Sequence, residues 1–266
     1  MITHRAAVLG KPIEHSLSPV LHNAGYAALG LTHWDYGRIE CDAAALSRVV
    51  AGADDAYVGL SVTMPGKFAA LQFADAATER ARAIGSANTL VRTASGWRAD
   101  NTDCEGVAGA FAELGVSARE HAIVVGGGGT ARPALWALAQ LGFRNITVLN
   151  RSDKTAELQP LVPGVGFALR PLSAAAAAQV AGADVVISTV PSAAIQGMED
   201  ELAAQPVLDV IYDPWPTPLV RAAQRRGVPA VGGHVMLAHQ AFCQFEQFTG
   251  HAAPRGAMLK ALEEAR

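Results

Sequence analysis

Short apolar runs and amphipathic stretches alternate along this chain almost from end to end. The apolar runs predict strands near Arg5–Leu9, Trp34–Glu40, Tyr57–Thr63, Ala87–Val91 and Trp97–Ala99. Helical spacing between them predicts helices near Pro19–Leu29, Ala43–Ala51, Gly66–Phe73 and Asp75–Ile84. Ser18-Pro19 reads as a helix start, with serine at the N-cap and proline at the first helical position. A helix near Glu105–Leu114 then leads into strands near Ile123–Val125, Ile146–Leu149, Phe167–Leu169, Val185–Thr189, Val207–Ile211 and Pro229–Val231. The run Ala174–Ala178 reads as plain helix. This alternation predicts an α/β protein with two open parallel-sheet domains. Beyond Gly233 the pattern is helical, Val235–Thr249 and Met258–Ala265 with a break at Pro254. That tail is too long to belong wholly to the second set of strands, so we expect it to return and complete the first domain. The predicted organisation is 1–104 with 237–266, and 105–236.

One junction in the second domain stands out. The run Ile123-Val124-Val125 stops at four consecutive glycines, Gly126 to Gly129, and a helical pattern follows from Ala134. Gly126, Gly128 and Ala131 fall on the G-x-G-x-x-A spacing of a dinucleotide fold. The first glycine allows the tight turn, the second lets backbone approach a pyrophosphate, and the small third residue lets helix pack on strand. Free N–H groups at the positive end of the helix dipole would hold the anion. A plain strand-to-helix turn is the alternative. On the dinucleotide reading, 105–236 is a Rossmann-type domain and the first domain is left to carry the substrate.

The next strand ends in Asn150-Arg151-Ser152 rather than in Asp or Glu. A carboxylate there would accept from the ribose 2′-OH of NAD but repel a 2′-phosphate. Arg151 can instead grip that phosphate with two charge-assisted hydrogen bonds, Ser152 can donate another, and Lys154 adds charge. A solvated loop arginine is the rival reading. NADP is the expected cofactor.

Composition narrows the setting. The 266 residues are 50% hydrophobic and 17% charged, enough for two cores and against long disordered tracts. A net charge of −3 gives no basic surplus for nucleic acid or an anionic membrane. Cys41, Cys104 and Cys243 are widely spaced, fit no metal-ligand pattern and read as packing thiols of a reducing compartment. No stretch approaches 18 uncharged apolar residues, and the amino-terminal run is too short for a signal peptide. We therefore expect a cytoplasmic monomer or homodimer whose partners are small molecules, with no zinc-ligand set.

The first domain holds three segments unusually rich in polar groups at turns. Gly10 to Pro19 presents Ser16 and Ser18; Ser61 to Lys67 presents Thr63 and Lys67; Asn88 and Asp103 lie in Ser86-Ala-Asn-Thr and Asp100-Asn-Thr-Asp. Ligands of open α/β sheets gather outside the carboxyl ends of strands, where the first two segments would project. Hydroxyls, an amide, a lysine and a carboxylate together suit a small polyhydroxylated acid. Each has a plainer reading: Ser18 as a helix cap, Lys67 as a solvated lysine, Asp103 as the N-cap of the helix at Glu105. His15 and His22 are read as structural, His234 and His239 as rim or packing residues.

At these residues the sequence resembles the shikimate dehydrogenase family, and the resemblance covers nearly the whole chain. It runs through GKPIEHSLSPVLHN at 10–23, SVTMPGK at 61–67, SANTL at 86–90, NTD at 101–103, GGGGTAR at 126–132, NRS at 150–152, YDPWPTPL at 212–219 and GGHVMLAHQA at 232–241. The resemblance implies substrate contacts from Ser16, Ser18, Thr63, Lys67, Asn88, Asp103, Tyr212 and Gln240, with Lys67 and Asp103 as the catalytic pair. It implies cofactor contacts from Gly126, Gly127, Gly128, Gly129, Thr130, Asn150, Arg151, Ser152 and Lys154, and places Val210, Gly233 and Met236 beside the nicotinamide. Three positions depart from the family pattern: Ser61 replaces the usual asparagine, Lys154 comes one residue early, and Val235 stands where glycine is commoner.

Hydride transfer to a ketone carbon leaves a proton to be delivered at oxygen. Lys67, protonated as lysines are at neutral pH, is the expected acid, with Asp103 orienting it and accepting from a neighbouring substrate hydroxyl. The resemblance thus implies reversible, NADPH-dependent reduction of 3-dehydroshikimate to shikimate, a step of aromatic amino-acid biosynthesis. Its neighbours are a quinate/shikimate dehydrogenase using NAD(P), which the pair Ser16/Ser18 with Asn150-Arg151 disfavours, and a non-catalytic NADPH-binding redox sensor, which Lys67 and Asp103 disfavour.

Overall fold

The structure, a computed structural model, describes residues 1–266. It divides into two compact units, Met1–Thr102 with Leu237–Arg266, and Asp103–Met236. In the first, the order is β1 (His4–Gly10), α1 (Ser18–Ala28), β2 (Trp34–Glu40), α2 (Leu46–Ala51), β3 (Tyr57–Val62), α3 (Lys67–Phe73), β4 (Ala76–Ala77), α4 (Glu79–Ile84), β5 (Thr89–Thr93) and β6 (Gly96–Asp100). The second comprises α5 (Asp103–Leu114), β7 (His121–Val125), α6 (Ala131–Gln140), β8 (Asn145–Asn150), α7 (Thr155–Leu158), β9 (Gly166–Pro171) and α8 (Ala174–Ala178). It continues with β10 (Val185–Ser188), α9 (Glu199–Leu202), β11 (Val207–Asp209), α10 (Pro218–Arg225) and β12 (Ala230–Gly232). Helix α11 (Gly233–Thr249) starts in the second unit and ends in the first, where α12 (Arg255–Glu264) follows. No helix is long and apolar enough to cross a membrane.

Sheet order in the first unit is β2-β1-β3-β5-β6-β4. Along β1 successive side chains serve opposite faces: Ala6 and Val8 join Tyr36, Phe242, Phe245 and Met258, whereas Ala7 and Leu9 join Leu46, Val50, Leu60 and Val62. The sheet is thus covered on both faces, which explains its continuous apolar runs. The α/β class and the parallel-dominated sheets agree with expectation, with one departure. β5 runs antiparallel to both β3 and β6. Only Ala94 and Ser95 separate β5 from β6, far too few for the crossover that a parallel pair needs. Gly96 at φ +116 closes that turn, and a side chain there would strike Asp75.

Three further differences are local. The helix expected over Asp75–Ile84 is shorter, because Ala76–Ala77 pairs with β6 and Thr78 caps α4 by accepting from Ala81 N. Ser18 is not the cap of α1: it is already helical, Leu17 holds the cap position, and no side chain caps it. Asp103, considered above as a cap, is the first residue of α5.

The second unit has six parallel strands in the order β12-β11-β10-β7-β8-β9. Counted from β7, that is 6-5-4-1-2-3, the doubly wound order of a dinucleotide fold. Its central strands, such as Val185-Val-Ile-Ser188, are buried along their whole length.

Candidate active site

In the first unit the polar segments are built on strand ends that meet at one edge. Thr63 follows β3 and its N–H donates to Leu9 O at 2.8 Å, while Gly66 N donates back to Thr63 O at 2.9 Å. Gly10 lies so close that a Cβ there would sit 2.4 Å from Thr63 Cγ2. The turn delivers Lys67 to the first position of α3, and the lysine is 8% exposed, so the solvated reading fails. Ala87 N donates to Lys67 O at 2.9 Å, which ties the helix start to the segment carrying Asn88.

Ser16 and Ser18 lie on the loop after β1. Arg38 pins that loop by donating to Ser16 O from Nη2 at 2.6 Å and from Nε at 3.1 Å. The Ser18 hydroxyl is buried against the Tyr36 phenol. Asn88 is held more firmly. Its Oδ1 accepts from Thr102 N at 2.8 Å and Thr89 Oγ1 at 2.7 Å; its Nδ2 donates to Thr102 Oγ1 at 3.0 Å and Gln240 Oε1 at 3.3 Å. Gln240, a polar residue in an apolar helix, thus finds Asn88, and its Nε2 donates to Leu237 O. The turn leading to Asp103 is anchored by Asp100, whose carboxylate accepts from Arg80 Nε at 2.7 Å, Arg80 Nη2 at 2.6 Å, Thr78 Oγ1 and Gln247 Nε2. Burial opposes the ionised form there, but these donors outweigh it and hold the Asp100 carboxyl down to about 2.

His22 is fully buried, stacked on Tyr36 with ring centroids 4.1 Å apart. Neither ring nitrogen makes a hydrogen bond, the Gln244 amide being the polar group that faces it. Burial pushes the imidazole down to about 3, so it is neutral, and the structural reading fits its surroundings.

In the second unit the turn after β7 is made by backbone. Gly126 has φ +108 and a Cβ there would lie 2.5 Å from Thr189 Oγ1, so glycine is required on two counts. A Cβ at Gly128 or Gly129 would meet nothing within 4 Å, so no neighbouring group crowds the turn there. Gly127 faces Asn150 Nδ2 and the Lys154 stem. Asn150 Nδ2 donates to Ser152 O at 2.9 Å, shaping the strand-end loop. Arg151 and Ser152 are exposed beside a cavity of about 240 Å3 also lined by Leu169 and Pro171. Lys154 lies 3.8 Å from Glu157 Oε2, and Asp153, which also lines that cavity, accepts from Thr155 N at 2.8 Å. These residues fit a dinucleotide with a 2′-phosphate: a glycine turn free of side chains, an exposed guanidinium and hydroxyl, and Asn150 in place of a carboxylate at the strand end, although Asp153 also lines the cavity. Gly233 packs on the Val210 carbonyl so tightly that no Cβ would fit. Tyr212 follows β11 and is half-buried; Met236 is buried, and His234 packs edge-on against Trp215. Asp103, Tyr212, Val210, Gly233 and Met236 belong to this unit, the other predicted substrate residues to the first. No three His, Cys, Asp or Glu side chains gather as a metal site.

Sequence reasoning gave no role to Tyr36, Thr89, Gln244 or the Arg80–Asp100 pair, and noted Ser61 only as a departure from the family pattern. One signal was available: Gln240, Gln244 and Gln247 stand at i, i+4 and i+7 of α11, a polar stripe on an apolar helix.

A doubly wound parallel sheet with a glycine turn after its first strand, joined to an α/β unit with a cluster of buried polar groups, defines a dinucleotide-dependent alcohol oxidoreductase. The sequence matches the shikimate dehydrogenase substrate binding domain over residues 8–90 and the shikimate 5′-dehydrogenase C-terminal domain over residues 233–263. It is 40% identical to a shikimate dehydrogenase (NADP(+)) of Methylobacterium radiotolerans, over 93% of this chain and 92% of that protein. The crystal structure of Mycobacterium tuberculosis shikimate dehydrogenase superposes with a TM-score of 0.93 at 53% identity, covering 98% of this chain and 99% of the other. A Thermus thermophilus shikimate 5-dehydrogenase, solved in complex with NADP(H) and shikimate, superposes with a TM-score of 0.84 at 26% identity, over 99% and 100%. The chain belongs to the shikimate dehydrogenase family.

Proposed function

We propose that this protein reduces 3-dehydroshikimate to shikimate with NADPH, reversibly, and that Lys67 is its proton donor. The observation that carries the assignment of roles is Lys67 itself, buried at the start of α3 and tied by its carbonyl to the segment that holds Asn88. In this reading Ser16, Ser18, Thr63, Asn88, Tyr212 and Gln240 hold the carboxylate and hydroxyls of the acid. Gly126 to Thr130 cradle the pyrophosphate, and Asn150, Arg151, Ser152 and Lys154 surround the 2′-phosphate. Val210, Gly233 and Met236 line the nicotinamide position. NADPH, when bound, supplies the hydride that the ketone carbon takes up. Lys67 delivers a proton to the ketone oxygen as its charge grows, and Asp103 accepts from a neighbouring substrate hydroxyl. The unit 1–102 with 237–266 is then the substrate domain and 103–236 the cofactor domain. Three cysteines, none of them in a disulfide, support a cytoplasmic setting, and the small-molecule site suits a monomer or homodimer.

The test is NADP+ reduction followed at 340 nm with shikimate, repeated with NAD+ and with quinate. Turnover restricted to shikimate and NADP+ is expected. Equal rates with quinate and NAD+ would move the assignment to the broader quinate/shikimate activity, and no turnover with any pair would leave a binding module.

A further inference from the structure

A buried carboxylate given no role above stands at the carboxyl edge of the second sheet. Asp209 is the last residue of β11 and pairs in register with Ser188, the last residue of β10. It is 1% exposed. Its Oδ2 accepts from Thr217 Oγ1 at 2.7 Å, and its Oδ1 accepts from Ile211 N at 3.3 Å. The fully buried Ser188 hydroxyl faces the same carboxylate. Burial outweighs these donors and pushes the carboxyl up from its ordinary range.

The two oxygens hold the two ends of one loop. Residues 210–216 connect β11 to α10, and Thr217 is the cap of that helix, its Oγ1 also accepting from Val220 N at 3.2 Å. A hydroxyl has one proton to give, and Thr217 gives it to Asp209 while a lone pair serves the helix. The body of the loop is held by other groups. Val210 N donates to Ser188 O at 3.0 Å, Gly233 N donates to Ile211 O at 3.3 Å, and Trp215 covers Gly232 so closely that a Cβ there would strike its ring. What the carboxylate adds is a fixed span between the entry and the exit of the loop, eight positions apart in sequence. An apolar side chain would fill the same space at less cost in desolvation, so the charged group answers for geometry.

The place of this loop in the sheet gives that geometry a use. The strand order reverses between β7 and β10, and in a doubly wound sheet the two nucleotide halves of a dinucleotide lie on either side of that point. Arg151 follows β8, on the adenosine side; the loop after β11 lies on the opposite side. We propose that Asp209, through Thr217, is a positioning residue for the nicotinamide half of the cofactor: by tying the ends of residues 210–216 it sets where Val210 stands beside the ring. This deepens the NADPH reading above and rests on it.

Thr217→Val and Asp209→Ala test this in the full-length protein, with Thr217→Ser as the variant that keeps the hydroxyl. Thr217→Val loses both the tie and the cap, whereas Asp209→Ala loses the tie and leaves the cap, so an effect common to both belongs to the tie. Both should lower kcat for shikimate oxidation about tenfold, or nearer a hundredfold if the loop shifts by about 1 Å. Thr217→Ser should stay within about threefold of the parent. Equilibrium binding separates positioning from general loosening. Adenosine 2′,5′-bisphosphate reaches only the adenosine side, so its Kd should stay within about twofold of the parent while that of NADP+ rises about fivefold. A kcat within about threefold of the parent in folded Thr217→Val and Asp209→Ala overturns the proposal, as does a bisphosphate Kd that rises as far as that of NADP+. Should neither variant fold while Thr217→Ser does, the tie is a stability element and the proposal falls as well. A parent protein that binds neither NADP+ nor the bisphosphate is a different result, and it removes the functional reading instead.

Discussion

The candidate ligand-binding segments of the two units are made of different material. At Gly126 to Gly129 the proposed cofactor turn has only main chain to offer, and side chains matter chiefly by being absent. Around Asn88 the groups are side chains, tied both to backbone and to side chains that lie far away in the sequence. A backbone site is specified by a few adjacent residues and by conformation. A side-chain site is specified by a network whose bonded members lie up to 183 positions apart. Substitutions should therefore act locally in the first and spread in the second.

The largest expected effect is chemical. Lys67→Ala should lower kcat by about a hundredfold or more with a small change in shikimate KM, as for removal of a general acid. Near-parental turnover would take the lysine out of the mechanism. On the cofactor side, Arg151→Ala should weaken NADP+ by roughly tenfold to a hundredfold, the worth of charge-assisted hydrogen bonds, and leave NAD+ nearly unchanged. Equal losses for both cofactors would place Arg151 away from the 2′-phosphate.

Next come changes in stability. The Asp100 carboxyl is held below its unfolded value of about 3.9, so it stabilises the fold above that pH and loses the contribution as pH falls toward about 2. Asp100→Asn should cost about 2 kcal/mol at neutral pH and flatten acid unfolding between about pH 4 and 2, measured by denaturant titration. His22 works in an adjoining window. Its folded value, about 3, lies below the unfolded one, about 6.5, so the parent should lose stability as pH falls from about 6.5 toward 3. His22→Phe should remove that slope, and an unchanged acid profile would show that the ring is protonated in the fold. Smallest in stability, and sharpest for the contrast, is Gly128→Ala. A Cβ there meets nothing, so the melting midpoint should stay put while the NADP+ KM rises several-fold. A shifted midpoint with unchanged KM would reverse that assignment.

Legibility in the sequence follows the same division. The glycine turn, the Asn150-Arg151-Ser152 strand end and the hydroxyl-rich loops are contiguous, and their chemistry is visible residue by residue. Tyr36, Ser61 and Gln244 are individually bland, and only the fold makes them neighbours. Ser18 misled for a related reason: serine before proline is a good cap, but tertiary contact with Tyr36 took the hydroxyl instead. The reversal at β5 was readable, since two residues between strands permit a hairpin and nothing else. The Asp75–Ile84 expectation failed because Ala76 and Ala77 have helical propensity but gain more from pairing with β6.

The return of Leu237–Arg266 to the unit begun at Met1 has a consequence for synthesis. As the chain leaves the ribosome, Val8, Tyr36 and Val91 emerge long before Phe242, Phe245, Phe248 and Met258, which form the rest of their wall. The interior segment 103–236 is continuous and can condense while the nascent amino-terminal part still waits for that wall. Messages cut short within α11 would thus release a finished nucleotide lobe attached to a sticky, half-clad partner.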